Sequence, residues 1–342
     1  MVKYVREGAW RESPEQSAEY LRKIGFTGPS RYYPREKMQE AIMKIAKDDP
    51  RICWVAAEAA SYGPQYAAAG IHPYRVMGFG IAEANTVVVA SGLAKESLIP
   101  IYSNMSFLLG RSYNNIFQSV GTDNMNVKFF MNARGWAGGG ASHHEINDIA
   151  IMRSIPQILI MAPADAVEMV AMVNAALKYI GAVFLRSPGQ MGSNLFEEDY
   201  PFKIGKAFTV REGNDVSIIS FGAELCRSLV ASDILAKEGI EARVIDMGTI
   251  KPIDEDAIVK AAKDTGAIVT AEDHNILGGL GEAVAQIVVK NELVPMEMVG
   301  IRDRYSQSTT DQPGGWEFIE KAYNLTAEDI AAATRKVIKR KK

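Results

Sequence analysis

Met77-Gly-Phe-Gly80-Ile-Ala-Glu83-Ala-Asn85-Thr86-Val-Val-Val-Ala-Ser-Gly-Leu-Ala94 sets one carboxylate among small residues, directly before an apolar run of helical length. A glutamate at such a place costs several kcal/mol to desolvate unless something shares its proton or pairs with it. Two readings follow from the stretch alone: Glu83 performs chemistry, or it is a buried glutamate satisfied by a basic neighbour or by water.

Outward from this stretch, short apolar runs alternate with longer helical patterns, the signature of α/β architecture with largely parallel sheets. The first half predicts strands at Ile52–Val55, Ile99–Ser103, Val127–Met131, Ile158–Met161 and Val183–Arg186. Helices are predicted between them at Arg35–Lys47, Thr86–Ala94, Ser112–Val120, Glu145–Ser154 and Ala164–Ile180, the first of these opened by Pro34. Periodicity breaks at Ser187-Pro-Gly-Gln-Met-Gly-Ser-Asn194 and the acidic run that follows, which reads as a linker, and a second α/β alternation begins near Val216. The division expected is an N-terminal extension at 1–26 that packs on a neighbour through Tyr20, Leu21 and Ile24, a domain at 27–190, a linker at 191–205 and a second domain at 206–342.

Composition narrows the function classes. The 342 residues are 47% hydrophobic and 23% charged, as in ordinary globular proteins, and the formal net charge of −3 offers no strong field to nucleic acid or to an anionic membrane. No run of about 18 apolar residues or signal-like core is present, so the cytoplasm is the default expectation. Cys53 and Cys226 lie in apolar runs without ligand spacing and read as core thiols. The terminal Arg340, Lys341 and Lys342 read as a solvated end.

Two further segments carry candidate chemistry. Asn132-Ala-Arg-Gly135-Trp-Ala-Gly138-Gly-Gly-Ala-Ser142-His143-His144-Glu145-Ile-Asn-Asp148-Ile-Ala-Ile-Met-Arg153-Ser-Ile-Pro156 clusters glycines after a strand, with Ser142 a candidate N-cap and His143 beside the helix start, where α/β folds place ligands. In Ser106-Phe107-Leu-Leu-Gly110-Arg-Ser-Tyr113 the aromatic side chains can stack on a flat heteroaromatic ring, or can be ordinary core. The glycine runs Gly78-Phe-Gly80 and Gly278-Gly-Leu-Gly281 lack the third glycine of a dinucleotide loop.

The Gly-Ile-Ala-Glu-x-Asn pattern resembles the pyrimidine-binding domain of the transketolase group of thiamine diphosphate enzymes. That resemblance implies two doubly wound α/β domains, a pyrimidine-binding domain followed by a transketolase C-terminal domain. It further implies that Glu83 hydrogen-bonds N1′ of the cofactor's aminopyrimidine and favours the imino tautomer that deprotonates the thiazolium carbon. The second segment resembles the family's Gly-x-Thr-His-Gln run, so His143 takes the place of the histidine that assists proton transfer in the substrate channel, and His144 stands where the family has glutamine. Phe107 and Tyr113 match two rings of the family's pyrimidine pocket, whose middle ring is replaced by Gly110. Arg186 and Arg35 match arginines that contact substrate phosphate in the family; the alternative for each is a structural salt bridge. In the second domain, the segments around Asp246 and Glu272 to Gly281 resemble a domain that holds subunits together, so His274 is expected to be interfacial rather than catalytic. Gly139 and Met131 stand where the family carries an acidic residue and a histidine that touch sugar hydroxyls or phosphate, which puts the usual pentose phosphate in doubt and leaves room for an unphosphorylated or sulfonated ketose.

No Gly-Asp-Gly motif, the family's Mg²⁺ and diphosphate grip, occurs in the chain. The resemblance then implies a split transketolase, in which thiamine diphosphate and Mg²⁺ are gripped by an N-terminal transketolase subunit carrying the diphosphate-binding domain, in a heterotetramer made of two such pairs. The implied reaction moves a two-carbon ketol unit from a ketose to an aldose. Two alternatives stand beside it: the β subunit of a 2-oxoacid dehydrogenase, and a non-catalytic paralogue that only binds the partner.

Overall fold

The computed structural model describes residues 2–12, 34–57, 70–133, 135, 141–188, 193–305 and 315–341, with single positions at Gln16, Glu19 and Lys23. Its first half runs α1 (Pro34–Ala46), β1 (Ile52–Ala56), β2 (Val76–Gly78), α2 (Glu83–Lys95), β3 (Ile99–Tyr102), α3 (Leu109–Asn115), β4 (Lys128–Ala133), α4 (Asp148–Arg153), β5 (Leu159–Met161), α5 (Ala166–Lys178) and β6 (Val183–Pro188). The second runs β7 (Phe208–Arg211), β8 (Val216–Ser220), α6 (Glu224–Ala236), β9 (Ala242–Asp246), β10 (Thr249–Lys251), α7 (Glu255–Thr265), β11 (Ile268–Asn275), α8 (Leu280–Asn291), β12 (Met296–Ile301), α9 (Gly315–Tyr323) and α10 (Ala327–Ile338).

The strands form a seven-stranded sheet in the order β10-β5-β6-β4-β3-β1-β2 and a five-stranded sheet in the order β12-β11-β8-β9-β7. All neighbours are parallel except β10 on β5 and β7 on β9. Parallel strands covered by helices on both faces need apolar residues at every position, and β1, β3, β5, β6, β8 and β9 are buried throughout. On one face of the first sheet, Met38 and Ile42 of α1 and Met169, Met172 and Val173 of α5 pack with Trp54 and Ile101. On the other, Val87 and Ala90 of α2 and Leu109 of α3 join a cluster that continues into Phe221, Ile245 and Met247 of the second half.

The halves are therefore not beads on a linker. Strand β10, three residues with no pattern of their own in the sequence, crosses from the second half to extend the first sheet. At its end Lys251 donates to the carbonyls of Arg153 and Ile155 at 3.0 and 2.6 Å. The expected linker carries fully buried Leu195 and Phe196, whose amides both donate to Asp165, the N-cap of α5, at 2.7 and 2.8 Å.

Other expectations are adjusted by packing. The helix predicted at Thr86 begins at Glu83, which places that carboxylate in the first turn. The helix predicted over Ser112–Val120 starts at Leu109 and passes into a π-helical turn at Ile116–Gly121. Tyr20, Leu21 and Ile24 fall outside the described residues, but for residues 2–12 the neighbour is the chain itself: Trp10 and Arg11 both donate to Asp233 of α6, and Val5 bridges to Phe196. Cys53 and Cys226 are buried free thiols, pushed up to about 11 and about 12 by burial. Among the described residues no helix is long and apolar enough to cross a membrane.

A second contact between the halves is acidic on both sides. Glu168 of α5 and Asp246 at the end of β9 are both buried, and the Asp246 charge acts on Glu168. Gly248 lets the chain pass this close, since a Cβ there would stand 2.6 Å from Glu168 Oε1. Desolvation, with Asp165 adding its charge, raises both carboxyls well above the ordinary range. The folded chain thus keeps a proton that unfolded carboxylates release above about pH 4, so this contribution to stability is complete below that pH and is lost as pH rises toward neutrality. Asp246→Asn removes the second charge at nearly the same volume; urea unfolding at about pH 5 and about pH 8 should show a shallower loss of stability than in the wild type.

Candidate active site

The site assembles at the carboxyl ends of the parallel strands, the edge at which open α/β sheets bind ligands. After β2 the chain turns through Gly80, at φ +69°, and enters α2 with Glu83 in its first turn. The partial positive charge of the helix start favours an anion there. Glu83 is only 3% exposed, and Arg111 of α3 is its ion-pair partner, Nη1 lying 3.4 Å from Oε2 and 3.5 Å from Oε1. Behind it, at the end of β3, the Tyr102 phenol is pushed up to about 12 by burial, with the Glu83 charge adding to the shift. Asn104 donates to the Tyr102 hydroxyl at 3.2 Å while its Oδ1 accepts from the Met105 amide at 2.8 Å. The Asn104 carbonyl accepts from Asn132 at 2.9 Å, tying this corner to β4.

The chain leaving β4 reaches a short 3₁₀ turn, Ala141–His143, and the helix expected from Glu145 is delayed. Ser142 is not the helix cap: its hydroxyl lies 2.8 Å from His143 Nδ1, and α4 starts only at Asp148 with Asn147 as N-cap. His143 is exposed, and a hydroxyl at Nδ1 can donate or accept, so it serves either tautomer. His144 does the opposite. It is buried, Tyr323 of α9 lies 3.3 Å from its Nδ1, Tyr305 and Tyr323 flank the ring, and burial lowers its pKa, so it is a neutral anchor for the turn.

What holds this turn is Arg186, and here the expected substrate contact is corrected. Its side chain is 1% exposed, with Nε 2.8 Å from Asp148, Nη1 2.6 Å from Asp273 and Nη2 donating to the Glu145 carbonyl at 3.3 Å. With the fork committed to two carboxylates in the interior, no face remains for a substrate anion; the alternative, a structural ion pair, is what the fold contains. His274 is likewise interior at 0% exposure, Nδ1 donating to the Asn275 carbonyl at 2.6 Å and Nε2 accepting from the Ala150 amide at 3.4 Å.

Of the other expected residues, Tyr113 lies on α3, 37% exposed, with its hydroxyl 3.2 Å from that of Ser154. Phe107 lies in a 3₁₀ turn at Ser106–Leu108 and Arg35 in α1, but their side chains are outside the described residues, as is Gly139. Met131 is fully buried in β4 opposite Arg186, so no sugar reaches that position. Among the described residues, no group of three or more His, Cys, Asp and Glu side chains is placed to hold a metal ion. Arg111 and the Tyr102–Asn104 pair were missed in the sequence. The available signal was an arginine four residues beyond Phe107, a spacing that puts both on one side of a helical segment.

Removing the Arg186 guanidinium leaves Asp148 and Asp273 in the interior without their counter-charge. Arg186→Met should lower the unfolding free energy by about 3–5 kcal/mol in urea titration; a loss below about 1 kcal/mol would show that the pair is not structural.

A family model described as the transketolase pyrimidine-binding domain matches residues 34–193, and one described as the transketolase C-terminal domain matches residues 205–330. The chain is 32% identical over 313 residues to the 6-deoxy-6-sulfo-D-fructose transketolase subunit SqwH of Clostridium sp. (strain MSTE9), covering 91% of this chain and 96% of that one. It is also 32% identical over 314 residues to the 1-deoxy-D-xylulose-5-phosphate synthase of Heliobacterium modesticaldum, covering 91% of this chain but only 47% of that longer protein. Among solved structures, a split gene transketolase described as an inactive beta4 tetramer superposes with a TM-score of 0.82 at 34% identity, covering 90% of this chain and 99% of that chain.

Proposed function

Because this chain belongs to the transketolase family, through its pyrimidine-binding and C-terminal domains, we propose that it is the pyrimidine-domain subunit of a two-subunit transketolase that moves a two-carbon ketol unit from an anionic ketose to an aldose. The carrying observation is Glu83, a carboxylate 3% exposed at a helix start whose described ion pair is a long one. Such a group suits a ring nitrogen that shares its proton, and this is the fit that favours thiamine diphosphate. When bound, the cofactor would supply the nucleophilic carbon and the electron sink for breaking the donor's C2–C3 bond. The chain itself supplies the proton relay at Glu83, a ring surface at Phe107 and Tyr113, and an imidazole at His143 able to take a proton from, or return one to, a substrate hydroxyl. Arg186 contributes as a positioning residue, and Arg35 is retained as a candidate contact for the anionic group of the substrate.

The absence of a Gly-Asp-Gly motif from this sequence supports a second chain that carries the diphosphate-binding domain with its Mg²⁺, the complex being a dimer of such pairs. Its docking face would include the helices around Glu83, where Ile81, Val88, Tyr113 and Phe117 are exposed at 78, 44, 37 and 36%. The buried Met131 in place of a histidine favours a donor whose anionic group is not gripped at that strand, and a sulfonated or otherwise modified ketose belongs in the screen beside phosphates. The similarity to a 1-deoxy-D-xylulose-5-phosphate synthase carries a second reading, condensation with pyruvate and loss of CO₂, as in the 2-oxoacid enzymes.

The test is to copurify the chain with a candidate diphosphate-domain subunit and assay ketose donors with thiamine diphosphate and Mg²⁺, alongside pyruvate. Ketol transfer without CO₂ release is expected from the pair, and no turnover from this chain alone. Glu83→Gln should lower kcat by about 10²–10⁴-fold with little change in folding; full activity of that variant would remove the mechanism.

A further inference from the structure

The chain contains two kinds of arginine–carboxylate pair. Arg186 is 1% exposed and closes on its partners at 2.6 and 2.8 Å, the range of charge-assisted hydrogen bonds. Arg111 is 59% exposed and approaches Glu83 no nearer than 3.4 Å, although Glu83 is almost wholly buried. A structural pair would close. The preceding residue, Gly110, faces open space, with no atom of the described residues within 4 Å of where a Cβ would stand, so α3 is not packed shut at this corner by them.

Building on the function proposed above, we infer that Arg111 is a displaceable counter-ion for Glu83: it shields the carboxylate while the pyrimidine pocket is open and yields that place to the ring nitrogen of an arriving aminopyrimidine. A carboxylate at 3% exposure needs compensation, and the helix start supplies only part of it. A tight interior arginine would supply the rest but would oppose the ligand, because opening a buried pair strands a charge. A long pair to a mostly hydrated guanidinium has little to lose on opening. Nothing covalent is involved. One hydrogen-bond partner of the carboxylate replaces another, and the guanidinium gives up the carboxylate. Arg111 on this view is a counter-ion that competes with the ligand for Glu83.

Calorimetry of thiamine diphosphate binding, with Mg²⁺, to the assembled pair tests this with wild type, Arg111→Met, Arg111→Lys, Glu83→Gln and the Glu83→Gln/Arg111→Met double variant. Arg111→Met should bind about two- to fivefold tighter than wild type, Arg111→Lys should stay near wild type, and Arg111→Met should change nothing in the Glu83→Gln background. Weaker or unchanged binding by Arg111→Met, or an equal gain in both backgrounds, overturns the inference, since Arg111 would then touch the ligand or act elsewhere. Thermal unfolding of the isolated chain gives a reading that needs no cofactor: the effects of Glu83→Gln and Arg111→Met should be non-additive, and additive effects overturn the pairing. A wild-type pair that binds no thiamine diphosphate removes the functional reading instead, and the unfolding cycle still decides whether Arg111 and Glu83 are coupled.

Discussion

Arg186 ends a strand of the first sheet, yet the carboxylates that neutralise it come from both halves of the chain: Asp148 from the start of α4 and Asp273 from β11 of the second sheet. A guanidinium taken wholly out of water is tolerated only if its charge is matched and its donors are used. Here they are used on two carboxylates and on the Glu145 and Asp273 carbonyls, and the Phe221 ring lies 5.7 Å below. Once this cluster forms, the end of β6, the start of α4 and the middle of β11 have one relative position. The turn carrying His143 immediately precedes those anchors, so its place depends on a strand in the other half of the molecule.

That dependence gives the second half a role in the proposed chemistry without a catalytic group of its own. It supplies the Tyr305 and Tyr323 rings around His144, the Asn275 amide that donates to the Ile146 carbonyl, and the Gly278 and Gly279 carbonyls that receive Arg153. Each fixes backbone on one side of His143. Glu83 is treated differently. Its surroundings, α2, the end of β3 and α3, belong to the first half, and its cation is a long, solvated one. A rigid wall at the histidine and an open corner at the glutamate suit a site that receives a planar ring from outside and holds a proton donor steady beside it.

Much of this was legible in the residues. The five strands expected in the first half were found within two residues because parallel strands buried on both faces read as short apolar runs, and Ile52 to Ala56 or Val183 to Leu185 have no other use in water, while the edge strands β2 and β7 were not expected. Glu83 stood out because a carboxylate among small and apolar residues is costly. Strand β10 was invisible because a three-residue strand at a sheet edge is selected by its neighbour β5 and not by its own pattern. The cap assigned to Ser142 failed because the Arg186 cluster holds Glu145 out of the helix, delaying α4 to Asp148. Arg111 sat inside a segment whose rings had taken the attention.

The sequence by itself determined the alternation of strands and helices and the residue at which chemistry is to be sought, because apolar periodicity and an oddly placed charge are local properties; the family came from the resemblance carried by the Glu83 and His143 segments. Only the tertiary structure decided what each charged side chain does. Arg186 and Arg111 look alike in a sequence. Whether a guanidinium is locked between two interior carboxylates or left half in water beside one depends on which strands and helices converge on it, and that convergence is set by residues more than eighty positions away in the case of Asp273.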